Sequence, residues 1–458
     1  MYKSKLLVFT FASALTMVSC QSGKSTEGSN AKPFSQQMVE SHGLGNFACN
    51  KNKKHELATT GWDYVSGLVA NAVLKAWEMY PEKSDYFDAV KAFADFSTSP
   101  SGDSIFKAPK RVSALGESNI DDLAAGKIFF TLYKEAVKRG NAADSAKYRN
   151  AVTMLRNKLK YEHARIPEGL PGAGGFFHKR QYPCQMWLDG LYMGPALYAQ
   201  WQYEFGAEEG DSANMASWSD IAHQFKTLHT HTYDSEKQLN YHAWSALPND
   251  SNSFWANKTA PHLGCSKEFW GRGMGWYFAA MVDILEWMPK THPDYEVILG
   301  NFRQVAAGLH RWQDERTGLW YQLLQYDSSV KGDGKGDTID GEVFNVGDNA
   351  NYLEASASSM YTYVFYKAVR LGLLEKEVYL PVAEKAYDGI ISNLITFDSA
   401  GVGIKNICAS AGLGPAKDHS RTGTINYYLC GKDITVTYDE GKAIGPFIMA
   451  SLEKESLY

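Results

Sequence analysis

Residues 118–139 read SNIDDLAAGKIFFTLYKEAVKR. Leu123, Ile128, Phe129, Leu132 and Val137 recur near helical spacing, so the segment predicts one amphipathic helix. Ser118 and Asn119 are capping residues at its start, and Asp121 and Asp122 put negative charge near the positive end of the helix. A second helical pattern, 142–164, follows after a very short turn, which makes the two a helical hairpin. The same reading extends outward in both directions. Helices are expected at 33–45, 59–80, 83–98, 118–139, 142–164, 185–206, 212–232, 269–289, 292–314, 351–373, 376–397 and 439–456. Leu68, Val69, Ala72, Val73 and Ala76 carry the second of these; Pro289 and Gly372 mark helix ends. Twelve helices with short turns suggest six hairpins closing into an all-α toroid. Strand signals are few, near Trp320–Gln325 and Thr424–Leu429. Long Gly-rich loops interrupt the pattern at 169–175, 327–349 and 399–432, and loops of this length are often functional.

The chain has 458 residues, 44% hydrophobic, with a formal charge of -5. This is an ordinary soluble globular composition, without the basic excess of a nucleic-acid binder. At the N-terminus, Lys3 and Lys5 precede the apolar run Leu6–Val18, too short to span a bilayer and suited to a signal peptide. The run ends in Met17-Val-Ser-Cys20, similar to a bacterial lipobox with Cys20 as the lipidated residue. The expected organisation is a signal peptide (1–20), a Ser- and Gly-rich tether (21–32) and a single domain (33–458). The protein is then exported, and lipid-anchored to a bacterial membrane or periplasmic. The other cysteines match no zinc spacing; Cys408 with Cys430 is the first pair to test for a disulfide, against free buried thiols.

Asp189 lies in the apolar run QMWLDGLYMGPALY (185–198). A buried carboxylate must be paired, hydrogen-bonded or protonated, and a protonated one can act as a general acid. The alternative is a structural Asp bonded to a neighbouring loop. Trp187 and Tyr192 beside it would shape a space for a sugar ring. Four other clusters accompany it. Residues 174–183 place His178, Lys179 and Arg180 just before the Asp189 run; solvated loop charge is the plainer reading. Residues 240–244 place His242 beside Trp244. Residues 269–277 combine glycines with Trp270, Arg272 and Trp276, a guanidinium fork for a carboxylate between two stacking faces. Asp121 and Asp122 form a carboxylate pair at a helix start, which simple capping would also explain. The stretch Asp333–Glu342 lacks the spacing of a calcium loop and reads as a surface insertion. No phosphate loop, nucleophile elbow or zinc triad occurs, so the expected chemistry is acid–base work without metal or cofactor.

Taken together, GGFFHKRQYP (174–183), QMWLDGLYM (185–193), YHAW (241–244), WGRGMGW (270–276), NYLEASAS (351–358) and NIDDLAAGK (119–127) resemble the unsaturated rhamnogalacturonyl hydrolases, glycoside hydrolase family 105. The resemblance implies an (α/α)6 barrel. It also implies hydration of the C4=C5 double bond that polysaccharide lyases leave on a terminal uronic acid, with Asp189 as proton donor. Asp121 would orient or modulate Asp189, raising the pair's proton affinity. His178, Lys179, His242 and Arg272 match binding positions; Trp187, Trp244, Trp270 and Trp276 would frame the sugar, with Trp62 and Tyr64 at less distinctive positions. The implied ligand is an unsaturated uronyl oligosaccharide, with rhamnose of rhamnogalacturonan as leaving group. Alternatives are an unsaturated glucuronyl hydrolase acting on glycosaminoglycan- or ulvan-type products, and a non-catalytic glycan-binding lipoprotein. A toroidal sugar epimerase lacks its histidine pair here.

Overall fold

Helices that are apolar around their whole circumference belong inside a fold, and those with one apolar stripe belong outside it. The computed structural model describes residues 32–49, 53–107, 111–209, 211–399 and 401–457. Its helices are α1 (Phe34–Met38), α2 (Tyr64–Met79), α3 (Ser84–Ser97), α4 (Ile128–Lys138), α5 (Ala142–Asn157), α6 (Leu188–Met193), α7 (Pro195–Phe205), α8 (Asp211–Thr232), α9 (Gly271–Trp287), α10 (Tyr295–Arg311), α11 (Ala355–Arg370), α12 (Lys376–Asn393), α13 (Ile425–Cys430) and α14 (Gly441–Leu457). Every residue from Gly271 to Leu285 in α9, and from Ala355 to Val369 in α11, is buried. By contrast, α10 buries one stripe, Ile298, Leu299, Phe302, Val305, Ala306 and Leu309.

The inner helices form a closed ring. α14 lies against α2, and α2 against the 3₁₀ turn Ile120–Lys127 that leads into α4. That turn lies against α6, α6 and α7 against α9, α9 against α11, and α11 against α14. Outside them, α3 covers α2, α5 covers α4, α8 covers α7, α10 covers α9 and α12 covers α11. The sixth hairpin pairs α14 with α1, two helices far apart in sequence. The expected (α/α)6 barrel is the observed fold, and residues 33–458 make one compact unit.

Several local expectations are corrected. The helix expected over 185–206 begins as a strand, Gln185–Trp187, and breaks again at Gly194-Pro195. Pro195 has no N–H for the preceding turn, and a Cβ on Gly194 would lie 2.7 Å from Ile120, so the break lets two inner elements approach closely. The segment 424–429 is helical rather than extended, because Thr424 caps α13 through the backbone N–H of Tyr427. Residues 320–325 make only isolated bridges, Tyr321 with Leu353 and Leu323 with Trp270. Cys408 and Cys430 are free thiols, as are Cys49, Cys184 and Cys265. In the 333–342 stretch Asp333 is engaged by the N–H groups of Lys335 and Gly336, and Asp337 by Thr422 and Thr424. No described helix is long and apolar enough to cross a membrane. The signal segment, Cys20 and the tether up to residue 31 lie outside the described residues.

Candidate active site

The inner helices start at one end of the barrel, and their first turns carry charge: Asp63 and Tyr64 at α2, Asp121 before α4, Asp189 in α6, Arg272 in α9, Glu354 at α11, Glu440 and Lys442 at α14. These groups feel one another. Tyr64 senses Asp63, Arg272, Asp121 and Glu440, and Lys442 senses Glu440, Arg272 and Asp63. The positive ends of the inner helices therefore converge on one mouth, a setting that favours an anionic ligand.

Two short pairings assemble the centre. Gln185–Trp187 runs antiparallel to Ala243–Ser245, with Trp187 opposite Ala243. The pairing continues as Leu188 N–H donates to the His242 carbonyl at 3.0 Å, which sets His242 beside Asp189. Likewise Asn119 bridges Lys179, and Ile120 N–H donates to the His178 carbonyl, which sets Asp121 beside His178 and Lys179.

Asp189 is 9% exposed. Its Oδ2 lies 3.2 Å from His242 Nε2, out of line for a hydrogen bond, and neither atom has another partner in the protein. Among the described residues, Asp189 Oδ2 is the one buried carboxylate oxygen in that condition. Native structures leave few buried polar groups unpaired, so such an atom marks a place where chemistry or a ligand completes the set. Gly273 keeps the space clear: a Cβ there would stand 3.2 Å from the His242 ring and 3.5 Å from Asp189 Oδ2. On the far side of His242, Nδ1 meets the Tyr428 hydroxyl at 2.6 Å.

Asp121 sits differently. Lys179 Nζ is 2.5 Å from Oδ2, and His178 Nε2 is 3.6 Å from Oδ1. Burial pushes the Asp121 carboxyl up, but Lys179 and His178 outweigh it and the net direction is down. Lys179 and His178 favour the carboxylate form of Asp121, so the role expected of it, orienting or modulating Asp189, falls to a charged group. Burial drives His178 down to about 4 against the pull of Asp121, so this imidazole is neutral at physiological pH. Its ring stacks on Trp187 at 4.3 Å, and Tyr182 stacks on Trp187 at 4.7 Å.

The remaining expected binding residues divide. Trp276 lies below the mouth against Tyr192 (4.7 Å) and Tyr64 (6.2 Å), so Tyr64 and Trp276 form a floor. Trp270 lies against His242 at 4.6 Å, with the Arg272 guanidinium 4.8 Å from its ring. Arg272 is 1% exposed, and its Nη1 donates to the Cys408 carbonyl and to Ser356 Oγ beside Glu354. One edge of the expected carboxylate fork thus belongs to the protein. Trp62 and Trp244 are corrections. Trp62 is sandwiched between Phe93 and Phe129, and its indole N–H donates to the Asp122 carbonyl. Trp244 stacks on His231 at 3.8 Å and stands opposite Met186 in the strand pairing, not opposite Trp187. Both indoles found ring partners in the scaffold, which residue type alone does not reveal.

Several mouth residues were not singled out in the sequence, although Glu354 stands in the 351–358 motif. Tyr428 lay in a Gly-rich region read as strand. Glu354 caps α11 by accepting from Ala357 N–H at 2.7 Å, and it also accepts from Cys408 N–H at 2.9 Å. Glu440 and Lys442 pair at 2.7 Å in full burial. Among the described residues no three His, Cys, Asp or Glu side chains converge to hold a metal ion.

Residues 44–333 and 342–458 match the model of Glycosyl Hydrolase Family 88. A solved glycoside hydrolase of family 105 from C. acetobutylicum ATCC 824 is similar over 93% of this chain and 100% of its own, at 32% identity and a TM-score of 0.73. A 24.9 kDa protein in the picA locus of Rhizobium radiobacter is 31% identical over 230 residues, 49% of this chain and 81% of that protein. The unsaturated rhamnogalacturonyl hydrolase YesR of Bacillus subtilis (strain 168) is 25% identical over 266 residues, 57% of this chain and 64% of that protein.

Proposed function

The chain belongs to Glycosyl Hydrolase Family 88 and is a glycoside hydrolase, and from that premise we propose that it hydrates the C4=C5 double bond of a terminal unsaturated uronic acid on lyase-generated oligosaccharides. The observation that carries this reading is the unpartnered, buried Asp189 Oδ2 facing His242 at the positive ends of the inner helices. The similarity to a rhamnogalacturonyl hydrolase favours rhamnose as the sugar released.

In this mechanism Asp189 delivers its proton to C4, and the ring oxygen shares the positive charge that develops at C5. Water adds at C5 and returns a proton to Asp189, so one carboxyl group serves as acid and then as base. The product is a hemiketal. It opens to a C5 ketone with a hydroxyl at C1, and the resulting hemiacetal collapses to an aldehyde as the neighbouring sugar departs. The net change is the addition of one water. His242 stands beside Asp189 at 3.2 Å, Tyr64 and Trp276 form the floor, and Trp187 and Trp270 form the walls. Lys179 and the helix N-termini supply the field that attracts the uronate carboxylate. The neutral His178 offers that carboxylate a hydrogen bond without a second full charge.

The test is a panel of unsaturated disaccharides made by pectin, glycosaminoglycan, ulvan and alginate lyases, at matched concentration. Loss of the double-bond absorbance should be fastest with the rhamnogalacturonan product. Preference for a glucuronyl product would move the substrate class, and no decline with any of them would overturn the reading. We also infer export with a lipid on Cys20, supported by Lys3, Lys5, the run Leu6–Val18 and the lipobox-like Met17–Cys20. Incorporation of a labelled lipid precursor should vanish in Cys20→Ala; equal labelling of the variant would refute it.

A further inference from the structure

The family model matches residues 44–333 and 342–458, leaving 334–341 outside the match. Asp337 stands in that short stretch, and its carboxylate is the hub of a hydrogen-bond cluster. Oδ2 accepts from Asn345 Nδ2 at 2.8 Å, Thr422 Oγ1 at 2.7 Å and Thr424 Oγ1 at 2.7 Å. Oδ1 accepts from Asn426 Nδ2 at 3.3 Å, and Asn426 Oδ1 accepts from Asp333 N–H at 3.0 Å. Thr422, Thr424 and Asn426 enter α13, a helix of 6 residues. A helix this short has too few internal bonds to fix itself, so its place is set by what grips it. The same loop grips the far end, where Asn349 Nδ2 donates to the Leu429 carbonyl at 3.0 Å.

α13 carries Tyr428, whose hydroxyl meets His242 Nδ1 at 2.6 Å with both residues fully buried. Burial keeps that phenol protonated. When it donates to Nδ1, a neutral His242 must keep its own proton on Nε2, the nitrogen that faces Asp189. We propose that Asp337 is a positioning residue for the reaction: it anchors α13, α13 carries Tyr428, and Tyr428 sets the tautomer and rotation of His242 against Asp189. The proposal rests on the role given above to Asp189 and His242. It assigns to a stretch outside the family match a part in the central geometry, although Asp337 touches no reacting atom.

The test compares Asp337→Ala, Asp337→Asn, Tyr428→Phe and the double variant Asp337→Ala/Tyr428→Phe in the full-length protein. Asp337→Ala should lower kcat about ten-fold, less than the roughly 10²–10⁴ that a positioned acid or base itself contributes, with KM within about two-fold because substrate contacts are untouched. The double variant should be no slower than the slower single, since both act through one bond. Asp337→Asn keeps an acceptor oxygen and should recover part of the loss. Nitrogen-15 NMR of labelled histidine, with His242 assigned by His242→Asn, reads the tautomer without substrate. The protein should show Nε2–H, and Asp337→Ala and Tyr428→Phe should both give a mixture. Unchanged kcat in Asp337→Ala, losses that multiply in the double variant, or an unchanged His242 tautomer would each overturn the proposal. Should Asp337→Ala fail to fold, Asp337→Asn and Thr424→Val carry the same comparison. A protein inactive on every uronyl disaccharide refutes the proposed function alone, because the NMR readout still decides this one.

Discussion

Asp189→Asn separates chemistry from folding more cleanly than any other substitution at the mouth. The change is isosteric, and Asp189 Oδ2 has no hydrogen-bond partner to lose. The new amide would stand where Oδ2 stands, 3.2 Å from His242 Nε2, with Gly273 leaving room on the other side. Stability should therefore change by no more than about 1 kcal/mol, the range of substitutions that break no bond and open no cavity. The kinetic cost is of another order. An amide can neither deliver a proton to C4 nor take one from water, and a positioned acid or base contributes roughly 10²–10⁴ in rate. Because one group performs both transfers, kcat should fall at least ~10³-fold, about 4 kcal/mol at 1.36 kcal/mol per decade. KM should stay within a few-fold, since Lys179, Tyr64 and Trp276 are untouched. The assay is the decline in double-bond absorbance at saturating disaccharide, beside calorimetric Tm. A variant that keeps more than about a tenth of kcat with an intact fold would refute Asp189 as the acid. A collapse of Tm together with kcat would refute the claim that its carboxylate is structurally idle.

Further expectations concern the scaffold and its titration. Burial pushes Lys127 down to about 7, Asp283 opposes this, and Lys367 and Lys75 reinforce it. Its Nζ has no hydrogen-bond partner and lies 3.2 Å from the Tyr192 ring centroid. The folded value is below that of the unfolded chain, so the unfolded chain binds the extra proton between pH 7 and the ordinary lysine range near ~10.4. Stability from this group rises with pH across that window; Lys127→Met should stabilise by about 1–3 kcal/mol at pH 6 and much less at pH 10, as read by urea unfolding. An equal effect at both pH values would contradict it. A Cβ on Gly67 would lie 2.3 Å from Ala125 Cα, so Gly67→Ala should cost about 1–3 kcal/mol and, by moving the Asp121 turn, raise KM; an unchanged Tm would refute the close crossing. His178, with a value of about 4, should show no ring titration above pH 5 by NMR, and its contribution to stability should fall as pH drops from the ordinary histidine range toward 4. A midpoint near 6 would mean that the ring is hydrated.

How much of this was legible depended on how local the cause was. Helical spacing marked the helices themselves, whereas their sorting into inner and outer came from the structure, in which α9 and α11 are buried all round and α10 along one stripe. The strand Gln185–Trp187 was hidden because its partner is Ala243–Ser245, distant in sequence. α13 was misread because Tyr427, Tyr428 and Leu429 suit strands, whereas the cap on Thr424 and the grip of Asp337 decide the matter through tertiary contacts. Around the mouth, Asp189, His242, Asp121, His178 and Lys179 stood out as charged groups in apolar or aromatic company, and two short pairings bring them together. Indoles were harder to place. Trp187 and Trp270 reach the centre while Trp62 and Trp244 are claimed by Phe93, Phe129 and His231.

The choice of Asp189 among several buried acids follows from what neutralises the others. Asp121 is tied to Lys179 and held as a carboxylate. Glu440 is tied to Lys442. Glu354 accepts from Ser356, Ala357 N–H and Cys408 N–H, with Arg272 beside it. Asp122 is pushed up to about 6, by burial first, yet both of its oxygens are engaged, by Gly116 N–H and by Asn119. Asp63 is also raised by burial, but it caps α2 through Val65 N–H at 2.7 Å. A carboxylate fixed by a lysine or by several N–H groups is a poor proton carrier, because each transfer must break those contacts. Asp189 alone among these acids presents a buried oxygen that no protein group holds, next to an imidazole whose other nitrogen is already committed to Tyr428. An acid that must give a proton to carbon and recover one from water needs that freedom at one oxygen and that constraint on its neighbour.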